Sequence, residues 1–218
     1  MSNRITYCFI FSFLMLSVIT SCKDVSTQSA LEDSLETVEE VSLISGTSNT
    51  VITVNKSNES YFRINFSGTG TNDIITDGER EGWCIDWQKP INASNSTYEN
   101  IPLYSTYNVE SWKPINYLFN IVDELHNSMP EMTYLEIQLA VWTLRGNPEF
   151  DVATIDPENS PSGIFHNGQP LFNMEVLEEI LETVEAGYKN FKPGENSRFA
   201  VIAATPADVQ TVITVVEK

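Results

Sequence analysis

The residues best suited to chemistry are one thiol and one primary amide. Cys84 lies in EGWCIDW (81–87), between two tryptophans and two residues from Asp86. A thiolate is a strong nucleophile, but a free cysteine, with a pKa of about 8.5, is only slightly ionised at neutral pH. Gln138 lies in IQLAVW (137–142), where helical neighbours are apolar nearly all the way round. A buried primary amide must satisfy its donors and its acceptor or carry a large desolvation cost. Taken alone, Gln138 therefore reads as a side chain bonded to nearby backbone, and Cys84 as a small buried hydrophobe. The chain has only two histidines, His126 and His166. A cysteine hydrolase pairing Cys84 with either is a second reading, although no protease-like pattern surrounds the cysteine. His126 is expected at a helix end, where the helix dipole suffices to explain it. Two distant histidines and one cysteine lack the spacing of metal ligands. GTGTND (68–73) lacks the third glycine and following helix of a dinucleotide loop, and TDGE (76–79) lacks the acid spacing of a calcium loop. Both read as turns, and neither metal nor cofactor is expected.

The elements around these residues follow from periodicity and turn chemistry. TVITV (50–54) and YFRINF (61–66) read as strands. In GWCIDW (82–87), alternation would place Trp83, Ile85 and Trp87 on one face and Cys84 and Asp86 on the other. A carboxylate on that face would raise the thiol pKa, so a structural hydrogen bond is the simpler role for Asp86. Residues 92–108 read as a polar connection. Helices are expected over about 115–127, 134–145 and 174–189. The second has the clearest limits: Thr133 and Glu136 form a capping box, and Gly146 supplies the stop. Tyr134 and Trp142 fall one turn either side of Gln138. RFAVIAAT (198–205) and VQTVITVV (209–216) read as closing strands. Strands, then helices, then strands, without repeated alternation, predict an α+β fold: an antiparallel β-sandwich or barrel-like scaffold with an inserted helical subdomain. The Pro-, Gly- and Asn-rich stretch 147–170 is long enough to expect function or mobility, with no mechanism attached.

The N-terminus sets the context of the thiol. Arg4, the apolar run 10–19 and Ile19-Thr20-Ser21-Cys22 together resemble a bacterial lipoprotein signal peptide with its lipobox. That resemblance implies cleavage after residue 21 and acylation of Cys22, anchoring the chain to a membrane. Cys8 would then be discarded with the signal, leaving Cys84 as the one free thiol of the mature chain and no intramolecular disulfide. Residues 22–48, rich in Ser, Thr and Glu, read as an acidic flexible tether, and 49–218 as one domain. The formal net charge of −18, one unit more negative once Arg4 is removed, argues against nucleic acid as a partner. Location in the cell envelope, at an outer membrane or cell surface, is expected.

With Trp83-Cys84-Ile85 on a strand and the IQLAVW motif on a downstream helix, residues 61–216 resemble the thioester domains of bacterial surface adhesins. The resemblance implies an internal thioester between the Cys84 sulfur and the Gln138 carbonyl, formed with loss of ammonia. Positioning can supply an effective molarity on the order of 10⁵ M for such a step. Trp83, Tyr134 and Trp142 are candidates for shielding the bond from water. The family's chemistry further implies covalent capture of an amine, such as a lysine of a surface protein, in a single turnover without enzymatic cycling. A non-covalent lipoprotein binding module, in which Cys84 and Gln138 are only packed, is the remaining alternative. Many members of that family are long wall-anchored proteins, whereas this chain carries a lipid-anchor signal instead, so the identity of the partner stays open.

Overall fold

The computed structural model describes residues 41–146, 149–158, 160–161 and 163–218. The signal segment, Cys22 and most of the tether lie outside the described residues. The fold is α+β, as the order of elements predicts. An eight-stranded sheet, built wholly of antiparallel pairs, runs in the order β1-β6-β9-β10-β4-β3-β2-β5. Its strands are β1 (Ser42–Leu43), β2 (Val51–Lys56), β3 (Phe62–Ser67), β4 (Gly78–Cys84), β5 (Ser94–Tyr98), β6 (Leu103–Ser105), β9 (Arg198–Ala203) and β10 (Val212–Glu217). Between β6 and β9 are inserted α1 (Lys113–Ser128), α2 (Tyr134–Arg145), a two-stranded ribbon of β7 (Phe165–His166) and β8 (Gln169–Pro170), and α3 (Met174–Gly187).

β2 and β3 form because Ile52, Val54, Phe62, Ile64 and Phe66 alternate inward and are buried, while intervening residues reach solvent. The ends of the sheet approach each other. Ile101 N–H, just before β6, donates to Thr50 O at the start of β2 (2.9 Å), and Leu103 N–H donates to the Thr47 hydroxyl (3.2 Å). The sheet thus folds back over a shared core in a sandwich-like manner. α1 packs on β9, α2 on β4, and α3 against both helices.

Several expectations need correction. Ile44 and Thr47 are buried and β1 pairs with β6, so the folded part reaches back to Val41, before the expected start at 49. The tether predicted over 22–48 therefore gives way to sheet at its C-terminal end. The polar stretch 92–108 contains β5 and β6. β5 is an edge strand whose Thr97 hydroxyl meets that of Thr53 (3.2 Å), so its outer face needs no apolar residues. The strand expected over 82–87 ends at Cys84, and Ile85 and Asp86 are both buried in the turn that follows.

Candidate functional site

The site is built where β3 and β4 part. Their register pairs Phe62 with Gly82, and β3 starts there, so its ladder stops two residues short of Cys84. On the other side β10 continues, with Val212 opposite Cys84 and Ile85 N–H donating to Thr211 O (3.1 Å). Successive N–H groups of a strand point to opposite neighbours, so Cys84 N–H and C=O face the side that β3 has left. Two buried backbone groups there require partners.

Gln138 supplies both. Cys84 N–H donates to Gln138 Oε1 (2.9 Å), and Gln138 Nε2 donates to Cys84 O (2.7 Å). The side-chain amide thus continues the ladder in place of a strand residue. Both residues are fully buried. α2 can deliver an amide here because its first turn is fixed. Glu136 accepts from Thr133 N–H (2.8 Å) and, through its other oxygen, from Asn173 N–H (2.7 Å) at the start of α3. The capping box and the left-handed Gly146 stop (φ 65°) stand as the sequence predicts.

The Cys84 thiol donates to Asp86 O (3.2 Å), within the turn that ends β4. Burial pushes the thiol pKa up to about 12, opposed by the Trp142 indole and the Asp86 backbone. The Asp86 carboxylate adds only a small upward push, and its charge is answered by Lys89 Nζ (3.1 Å) and by nearby Arg145. Asp86 Oδ1 also accepts from Gln88 N–H (3.3 Å), so the aspartate shapes the turn.

The aromatic candidates divide. Trp142 is fully buried, 5.5 Å from Tyr61 edge to face and 5.2 Å from Phe150. Its indole N–H completes no hydrogen bond among the described residues, yet it lies near enough to Cys84 to favour thiolate. Tyr134 is half-buried and lines a groove together with Tyr61 and Trp87. Trp83 points elsewhere. It packs on Phe119 of α1 (5.9 Å) and lines a separate cleft of about 360 Å³ with His126, Asp123 and Arg198. Adjacent strand residues take opposite faces, so Trp83 is a core residue rather than a cover for the Cys84 sulfur. His126 belongs to that second cleft, and His166 is exposed on β7.

Two features were not read from the sequence. Tyr61, the residue before β3, packs its ring edge to face against Trp142 (5.5 Å). Burial first, then the neighbouring Cys84 and Tyr134, hold its phenol above the usual range. The stretch 147–170 is also partly fixed on the site: Phe150 is buried between Trp142 and Trp87 (5.2 and 5.5 Å), and Trp87 Nε1 donates to Glu149 O (3.2 Å). Between this segment and the β2–β3 turn lies a groove of about 850 Å³, lined by Lys56, Tyr61, Trp87, Lys89, Tyr134 and Pro161 among others. Among the described residues no cluster of His, Cys, Asp and Glu is arranged to hold a metal ion, and no helix is long and apolar enough to cross a membrane. No family model, curated protein or solved structure matches the chain, so the site is read from its own geometry.

Proposed function

We propose that the chain is a surface lipoprotein that captures an amine-bearing partner covalently, through an internal thioester between Cys84 and Gln138. One observation carries the reading: the residue that bears the thiol holds the Gln138 amide by both ends, at 2.9 and 2.7 Å. A glutamine is sufficient to satisfy a strand end, but that duty places no demand on the side chain whose backbone it serves. Here that side chain is a buried thiol.

The hydrogen bonds suit the step. Sulfur attacks the side-chain carbonyl carbon, and the charge that develops on Oε1 falls on the Cys84 N–H already in place. The C–N bond breaks, ammonia leaves with the thiol proton, and the acyl–sulfur bond remains. Burial that holds the thiol protonated also keeps water from the product. A primary amine then attacks the same carbon, an amide forms, and sulfur regains a proton. The exchange occurs once per chain, so the protein is a covalent binder and not a turnover enzyme. The lipid anchor on Cys22 and the surface location rest on residues 4–22.

Intact-mass measurement of the mature chain tests the reading. The wild type is expected to weigh one ammonia less than residues 22–218 with their lipid, and to regain mass as a methylamine adduct. Cys84→Ala and Gln138→Ala are each expected to show no such deficit. A wild-type chain without the deficit and with a titratable Cys84 thiol excludes the thioester.

A further inference from the structure

The chain carries 30 acidic against 12 basic residues, yet the groove of about 850 Å³ has no carboxylate in its described lining. Of its two lysines, Lys89 is paired with Asp86 (3.1 Å), and Lys56 is exposed, where solvent and salt screen its charge. What the walls offer is ring surface. Tyr61, Trp87 and Tyr134 all line the groove, and each is half-buried. Trp87 is held edge to face by Phe150 (5.5 Å), and its indole N–H is engaged with Glu149 O (3.2 Å).

Gln210 supplies the polar counterpart. Its backbone is fixed on both sides: N–H donates to Pro90 O (3.0 Å), and C=O accepts from the Thr205 hydroxyl (2.8 Å). The residue is only 6 % exposed, and its side-chain amide forms no hydrogen bond among the described residues. The amide is not sealed inside the core either, and the groove is the cavity this residue lines. Gln210 thus brings two donors and an acceptor to the groove without a protein partner, and burying such a group unpaired is costly.

A sugar answers both sets of groups. A pyranose has C–H faces, which the negative face of an aromatic ring attracts, and a rim of hydroxyls that donate and accept as an amide does. A peptide's carbonyls would need donors between the rings, and the Trp87 N–H is already engaged. A single-stranded nucleic acid would stack on the same rings, but it brings a phosphate chain to a protein at −18.

We propose that this groove binds an uncharged oligosaccharide, with Tyr61, Trp87 and Tyr134 stacking on sugar faces and the Gln210 amide bonded to a sugar hydroxyl. The volume lies in the upper part of the range of small-molecule sites, about 300–1,000 Å³, which suits a short oligomer. This recognition is non-covalent and does not rest on the thioester.

The test applies the mature chain to immobilised neutral hexose and N-acetylhexosamine oligomers. At least one is expected to be retained, with nearly constant affinity between low and high salt. On that oligomer, Gln210→Met and Tyr134→Ala are each expected to weaken binding about tenfold, and Tyr134→Phe, which keeps the ring, to restore it. Gln210→Met is also expected to melt at or slightly above the wild-type temperature, because it removes a polar group with no protein partner. An amide that only holds the fold together would lower that temperature instead. Retention of no oligomer, wild-type affinity in Gln210→Met or Tyr134→Ala, or a Gln210→Met chain that melts several degrees low overturns the proposal. Binding confined to charged glycans or peptides, and lost with salt, overturns it as well.

Discussion

Two buried primary amides dock helices onto this sheet, and only one meets a nucleophile. Asn116 of α1 accepts from Ala200 N–H of β9 (2.9 Å) and donates to Thr106 O (3.2 Å), with the Thr106 hydroxyl 3.1 Å from its Oδ1. Gln138 of α2 does the equivalent for β4, but both of its backbone partners belong to Cys84. Each amide answers the same physical demand, that buried backbone groups be paired. Asn116 spreads its bonds over two segments and has only a hydroxyl nearby, far weaker as a nucleophile than a thiolate. Gln138 concentrates its bonds on one residue, and that residue carries sulfur. Burial and hydrogen bonding alone thus do not mark a reactive amide. The neighbour does.

That contrast can be broken at either amide. The largest effect is expected for Gln138→Ala, which orphans Cys84 N–H and C=O: a loss on the order of 3 kcal/mol of stability, read by denaturant unfolding, together with complete loss of the ammonia deficit. Asn116→Ala is expected to cost about 2 kcal/mol through the orphaned Ala200 N–H, with the folded chain still one ammonia light. If Asn116→Ala also abolishes the deficit, the two amides are not functionally distinct.

Alkaline pH sharpens the comparison further. A free Cys84 thiol keeps its proton to about pH 12 in the folded chain, against an ordinary value of 9.0. The folded state then binds more protons than the unfolded state between those limits. Its stabilising share is complete below pH 9 and lost as pH rises through that window, by about 1.4 kcal/mol per unit at most. Gln138→Ala should show this slope in excess of the Cys84→Ala/Gln138→Ala double variant in urea melts from pH 8.5 to 10.5. Wild type, with its sulfur acylated, should run parallel to the double variant. Cys84→Ser is expected to have the smallest effect on stability. It keeps the backbone bonds to Gln138 and should melt within a few degrees of wild type, with no ammonia deficit.

What could be read in advance was local. The limits of α2 lie in Thr133, Glu136 and Gly146, all within a turn of the helix they close, and the apolar stripes of α1 and α3 are visible in their own residues. That Gln138 needs partners also lay within reach, because a polar residue in an otherwise apolar helix demands them, but its pairing with Cys84 was suggested only by the resemblance of the two motifs to thioester domains. Long-range register was not legible. β4 stops at Cys84 because β3 has already left and a side chain from 54 residues away takes its place. Once the strand stops there, Trp87 no longer shares a face with Trp83, and it turns instead to Phe150 and Glu149. Tyr61 escaped notice for a similar reason: its contact with Trp142 of α2 is long-range and not a property of its neighbours in sequence. β5 was hidden by composition, since an edge strand with a polar outer face carries little alternation, and β6, between β1 and β9, is only three residues long.

The most direct measurement is the intact mass of the mature wild-type chain beside Cys84→Ser prepared in the same way. A deficit of one ammonia in the wild type, absent from the variant and converted to an adduct by methylamine, is the expected result. No deficit in either, with an alkylatable Cys84 thiol in the unfolded wild type, would contradict the thioester and leave Gln138 a structural amide like Asn116.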